Sequence, residues 1–203
     1  MTHLVCLLSL VLCLEAMAQD ASPMPDDGRV FIGTSAFVLY NLVPDPNPPR
    51  FVMVTAGYRL TDNDDLSVEA ITWQYHGPKG RPYGPDFESA SSNFPGRVRA
   101  YGVGLAYRRV LWKDLYAALH STPMLQEFLD EELDRIQTGF ILFNTARVGY
   151  EFRLFDGRVF AQPSVAATFW PINTNLPDDF QAEEDTWPSY FLAEPGLHVG
   201  INL

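Results

Sequence analysis

Residues 188–203 read PSYFLAEPGLHVGINL. The odd positions carry Phe191, Ala193, Pro195, Leu197, Val199, Ile201 and Leu203, and the even positions include Glu194, Gly196, His198, Gly200 and Asn202. Side chains of a strand point alternately to opposite faces. The stretch therefore reads as a strand with one greasy face and one polar or small face.

The same alternation extends back through the chain. In residues 136–154, Phe140, Leu142, Ala146, Val148, Tyr150 and Phe152 share one face, and Thr145, Arg147, Gly149, Glu151 and Arg153 the other. In 97–110, Tyr101, Val103, Leu105 and Tyr107 oppose Ala100, Gly102, Gly104, Ala106 and Arg108. Eight segments of this kind are expected as strands, at 29–42, 51–61, 66–76, 97–110, 115–127, 136–154, 158–172 and 188–203. Segment 66–76 mixes its faces, because Leu66, Val68 and Ala70 suggest one register and Ile71, Trp73 and Tyr75 the other. Pro163 and Pro195 fall inside strands and imply bulges there. Residues 123–133 fit a short helix, from the spacing of Met124, Phe128 and Leu129, or the arm of a long hairpin. The nineteen-residue length of 136–154 favours the hairpin.

Asp156-Gly157 is a favoured two-residue hairpin turn. It pairs Phe155 with Arg158, so paired positions sum to 313 and the polar faces of the two segments coincide. A one-residue slip would oppose them. Short turns at Asp62–Asp65, Leu111–Asp114 and Asp156-Gly157 alternate with longer connections, among them a Gly- and Pro-rich loop over 77–96 and an acidic loop over 173–187. That asymmetry is the habit of an up-and-down membrane barrel.

The chain has 203 residues, enough for one sizeable domain. Its formal charge is −11, and 47% of it is hydrophobic. Such acidity excludes non-specific nucleic-acid binding, which needs a basic stripe. Leu4–Leu14 is an uncharged Leu/Val-rich run followed by Ala16-Met17-Ala18, so residues 1–18 are expected to be a cleaved signal peptide and 19–203 the barrel domain. Both cysteines, Cys6 and Cys13, lie in the first part. The remainder then has no disulfide and no thiol chemistry.

With these features the chain resembles the small eight-stranded outer-membrane β-barrel proteins of Gram-negative bacteria. The resemblance covers nearly all of residues 19–203 and rests on pattern, not on a signature motif. Such strands usually close on an aromatic residue, whereas this chain ends on Leu203. The resemblance implies an all-β, eight-stranded antiparallel up-and-down transmembrane β-barrel in the bacterial outer membrane. Its partners would be outer-membrane lipid, lipopolysaccharide and the assembly machinery. Tyr40, Tyr58, Tyr101, Tyr107 and Tyr150 are expected in interfacial girdles, and Trp112, Trp170 and Trp187 flank turns or strand ends.

The inward face is then expected to hold Arg59, Glu69, Arg108, His120, Arg147, Glu151, Arg153, Glu194 and His198. Eight strands leave an interior just wide enough for side chains, and buried charges there must be paired. Arg59 and Glu69, on either side of the first short turn, are an expected pair. A structural plug is the reading for this set; a conducting, porin-like pore is the lesser one. No HExxH, G-x-S-x-G, P-loop or dinucleotide motif occurs, so no catalytic residue and no cofactor is assigned. The Asp62–Asp65 run lacks the Gly and distal Glu of an EF-hand and reads as a turn.

Acid concentrates in two stretches. Residues 127–135 hold Glu127, Asp130, Glu131, Glu132 and Asp134 against Arg135, and 173–187 hold Asp178, Asp179, Glu183, Glu184 and Asp185. Hard oxygen ligands suit divalent cations such as calcium or magnesium, and these acids are the candidates for binding them, with simple solvation as the bland reading. The expected role is structural or surface-interactive. The alternatives are a lipid A-modifying enzyme, whose nearest acyl-transfer set is His120, Ser121 and Glu127, and a secreted lipocalin-like binder, whose apolar faces would point inward.

Overall fold

The computed structural model describes residues 29–44, 47–81 and 93–203. The expected signal peptide lies outside them. Nine strands form: β1 (Val30–Ser35), β2 (Val52–Arg59), β3 (Asp64–Tyr75), β4 (Arg97–Trp112), β5 (Leu115–Leu129), β6 (Arg135–Tyr150), β7 (Phe152–Leu154), β8 (Val159–Thr174) and β9 (Tyr190–Asn202). All neighbours are antiparallel, β1 joins β2 to β9, and β6 pairs with β8 as well as β5, so the hydrogen bonding closes into a barrel-like ring. No described helix is long and apolar enough to cross a membrane.

The ninth strand is a matter of one proline. β6 pairs with β8 down to Gly149↔Ser164, and β7 resumes at Phe152↔Ala161, with the pairs from Asn144↔Phe169 onward summing to 313. Between them lies Pro163, which has no N–H to give. The ladder lapses there and divides one run along the wall into β6 and β7. The ring thus has eight members. Asp156 and Gly157 both take positive φ, 57° and 83°, as the expected turn requires.

Short turns and long connections fall at opposite ends. At one end are 60–63, 113–114 and 155–158; at the other are 130–134, 175–189 and the strand ends at Ser35, Val52, Tyr75 and Arg97, from which the two remaining connections leave. Residues 123–129 extend β5, as the hairpin reading expects.

Four expectations change. The segment at 29–42 is a strand only to Ser35, whose hydroxyl accepts from the Phe37 N–H at 3.3 Å and caps a 3-10 helix over Ala36–Leu42. Tyr40 therefore sits on that helix rather than on a strand. The Asn41 side chain then brackets Phe51, donating to its carbonyl at 2.6 Å and accepting its N–H at 2.9 Å, in place of the missing ladder. Asp64 and Asp65 open β3 instead of belonging to the turn. Ala193 takes φ 62° and bulges out of β9, so that Ala166 faces Glu194 but Ala167 faces Leu192. That extra residue switches the faces: Phe191 turns toward the interior cluster and Leu192 outward. The acidic stretch 173–187 contains a short helix, α1 (Asp178–Glu184).

Glycines let interior rings approach the wall. A Cβ on Gly57 would run into the Phe31 ring, which packs edge-on against Phe160 at 5.8 Å. G57A is expected to cost about 1–3 kcal/mol through overpacking, read as a lowered urea midpoint. In an F31A background the same substitution should cost clearly less.

Candidate functional site in the lumen

The interior has two chemically distinct halves. Toward the short turns it is ionic. Glu151, at the ladder break, has no solvent-exposed side-chain surface. Its Oε2 accepts from Arg108 at 2.6 Å and from Gln162 at 2.7 Å, and its Oε1 accepts from Arg153 at 2.7 Å. Arg59 lies 3.8 Å from Oε1 and donates to Asn202 at 2.8 Å. Arg108 also donates to Asp65 at 2.6 Å through Nε. Three guanidinium groups thus share one carboxylate, with Asp65 as a second acid.

Above this lies Glu69, which meets His120 Nδ1 at 2.9 Å. The His120 and His198 rings stack at 6.2 Å. Arg147 donates to Ser164 at 2.9 Å, and Thr168 donates to Glu194 at 2.6 Å. A cavity of about 50 Å³ opens among Thr55, Ser67, Glu69, Tyr116, His120 and His198, room for a few waters.

The structure thus places all nine expected lumen residues on the inner side, but it redraws one pair. Arg59 is not paired with Glu69. The register puts Asp65 opposite Arg59 and Thr55 opposite Glu69, because the turn occupies 60–63. Glu69 instead reaches across to His120, and Arg59 reaches Glu151. Asp65, Tyr116 and Gln162 belong to the network and were missed. Asp65 was hidden in an acidic run that reads as a turn.

Toward the long connections the interior is apolar and aromatic. Tyr75, Phe94, Val98, Ala100, Met124, Phe128, Ile141, Trp170 and Phe180 form one buried cluster, flanked by Ile71, Trp73, Phe143, Leu176 and Phe191. This resolves the mixed faces of β3. Its alternation never breaks; its inner face passes from Ser67 and Glu69 to Ile71, Trp73 and Tyr75. Trp170 belongs to this interior, not to an interface.

α1 closes the mouth. Phe180 is 1% exposed, stacks on Phe94 at 5.0 Å and meets Phe128 edge-on at 5.3 Å. Glu184 Oε1 accepts from Trp170 Nε1 at 3.0 Å and from Asn173 Nδ2 at 3.1 Å. Lys79, from the connection after β3, donates to the Tyr75 hydroxyl at 2.5 Å, and Gln126 donates to the same oxygen at 2.6 Å. Burial pushes the Lys79 ammonium down to about 8 from its usual 10.5, with Glu184 partly opposing the shift.

The acids expected to hold a cation do not converge. Asp130 and Asp134 share one tight turn, the Asp134 N–H donating to Asp130 Oδ1 at 2.8 Å. Glu127 pairs with Arg99 and Arg135. Asp178, Asp179, Glu183 and Asp185 ride on or beside α1, and Glu184 is turned inward. Among the described residues no three His, Cys, Asp or Glu side chains are placed to hold a metal ion. His120 and Ser121 are adjacent in a strand and face opposite sides of the wall, so the acyl-transfer set is not assembled.

No family model, curated protein or solved structure matches this chain. Its function must be argued from its own geometry.

Two outcomes are expected. Glu151→Ala removes the carboxylate that three arginines share and should destabilise the fold by about 3–5 kcal/mol, measured by equilibrium unfolding in urea; Glu151→Gln keeps the side-chain volume and one acceptor oxygen and should cost less. Lys79 should titrate near pH 8 by NMR of its dimethylated amine. Between pH 8 and 10.5 the unfolded chain binds the extra proton, so stability should rise with pH across that window and flatten in K79M.

Proposed function

We propose that this chain is an integral outer-membrane barrel with a structural or surface-interaction role, its long connections outside the cell and its short turns in the periplasm. The belt on its outer wall carries this reading. On β4 the outward residues Tyr101, Val103, Leu105 and Tyr107 are exposed, Leu105 by 66%. Arg99 and Arg109 bracket them, and each is ion-paired, with Glu127 and Asp64 respectively. Ten residues at ~3.4 Å span ~34 Å along the strand. A usual tilt of about 40° reduces this to ~26 Å in height, against an apolar band of about 25 Å in such barrels.

Neighbouring strands continue the belt with Val54, Val68, Leu119, Leu125, Val148, Val165 and Leu192. Tyr58, Tyr107 and Tyr150 lie outward near the short turns, and Tyr101 and Tyr190 toward the other end, as girdles would. An apolar exterior around a closed ring of backbone hydrogen bonds suits lipid and is costly in water. A lipocalin-like carrier would reverse these faces. Lipid and lipopolysaccharide would contact the belt, and the assembly machinery would insert it. The acidic connections would form a negative rim facing outward. With His120 and Ser121 on opposite faces, the acyl-transfer reading has less support than the structural one.

Val103→Arg, at mid-belt, is expected to cost about 2–4 kcal/mol in lipid vesicles. The native protein should sediment with membranes, require detergent for release and shift its gel migration on heating. Recovery in detergent-free buffer as a soluble monomer would overturn the membrane reading.

A further inference from the structure

We propose that the aromatic mouth of the lumen is a binding site for a small apolar carboxylate, and that α1 occupies it as an intramolecular stand-in. Phe180 and Glu184 are four residues apart, so they project from the same side of the helix. Together they present one apolar ring and one carboxylate to the lumen. The ring is received by Phe94 and Phe128, and the carboxylate by the indole of Trp170 and the amide of Asn173.

The receiving groups exceed what a plug requires. An apolar cap over an apolar cluster needs no cation, yet Lys79 sits beside Tyr75 and over its ring at 3.9 Å. Among the described residues it has no carboxylate within ion-pair distance. Gln126 is 1% exposed, and its Oε1 has no hydrogen-bond partner; nor does Asn173 Oδ1. Buried acceptors of this kind are costly unless a donor reaches them. A ligand with a hydroxyl beside its carboxylate offers that donor, and its carboxylate can approach Lys79 as well as Trp170 and Asn173.

The stand-in is weakly held by its own backbone. α1 has seven residues, and Pro177 at its N-cap supplies no side-chain cap. So short a helix is not stable alone. Its place therefore depends on Phe180 and Glu184, the two groups a ligand would replace. This inference goes beyond the membrane reading and fails separately from it, since location is tested by partition and this site by titration.

The test uses the full chain folded in detergent micelles, with 3-phenyllactate as probe and 3-phenylpropane-1,2-diol, its carboxyl-free analogue, as control. Hydrogen exchange follows the α1 amides, and calorimetry gives the affinity. The probe should bind the native protein weakly and speed exchange in α1 but not in β3–β6. E184Q, which loosens the helix while keeping its shape, should bind about ten-fold more tightly, roughly 1.4 kcal/mol. In E184Q the acid should outbind the diol by at least about ten-fold, and K79M/E184Q should erase that preference. Equal binding of acid and diol would overturn the proposal, as would unchanged affinity in E184Q or unchanged α1 exchange at saturation. If E184Q does not give the heat-shifted folded band, F180A serves as the loosened variant with the same outcomes.

Discussion

The carboxylate of Glu151 holds together the place where the wall is interrupted. Pro163 withdraws a donor from the ladder at this point, and β6 lapses into β7. Glu151 answers on both sides. Its backbone N–H donates to Asp114 O at 2.9 Å, tying the strand to its other neighbour. Its side chain collects Arg59, Arg108, Arg153 and Gln162 from around the ring. A closed ring leaves no edge at which a missing hydrogen bond can be given to water. The lapse is therefore compensated from inside, and the arginines on facing strands are drawn to one point. Deprived of that carboxylate, they would be like charges answered only by Asp65 at Arg108 and by Asp114, 3.8 Å from Arg153.

From that point upward the lumen changes character while the outer wall does not. The belt remains apolar from Tyr107 to Tyr101, but the inner face passes from ion pairs to imidazoles and then to aromatic rings. The two ends of the interior consequently resist deformation differently. Charge networks are directional and tolerate few arrangements. Packed rings with a sulfur among them, Met124 here, accommodate other shapes more readily. A rigid base beneath an adaptable mouth follows directly from this gradient.

Most of the strands were legible because successive residues face the outer wall and the lumen in turn, and period two survives such a constraint intact. The Asp156-Gly157 turn set the register of β6 and β8 as far as Asn144↔Phe169, beyond which an irregularity shifts it by one residue. What escaped reading was local and non-periodic. Ser35 followed by Phe37, Leu39 and Tyr40 continues a greasy pattern, and nothing in it announces that a hydroxyl cap will start a 3-10 helix. Ala193 is an unremarkable residue for a bulge, yet it reverses Phe191 and Leu192. The partner of Arg59 depended on whether the first hairpin turned at residue 60 or 62. The aromatic mouth was visible as Ile71, Trp73 and Tyr75 but looked like a register conflict, because a uniformly polar interior was assumed. α1 lay within an acidic stretch whose charges suggested cation binding or solvation, not a helix.

The brevity of β1 has a mechanical meaning. Every other seam in the wall is a long ladder, but β1 stops at Ser35 and shares only short ladders with β2 and β9. Above it the gap is bridged by the 3-10 helix and by the amide of Asn41. Local opening needs least free energy where fewest backbone bonds must part. The ring behaves like a clasp, joined where the first strand meets the last, and under stress it parts along that meridian before any other.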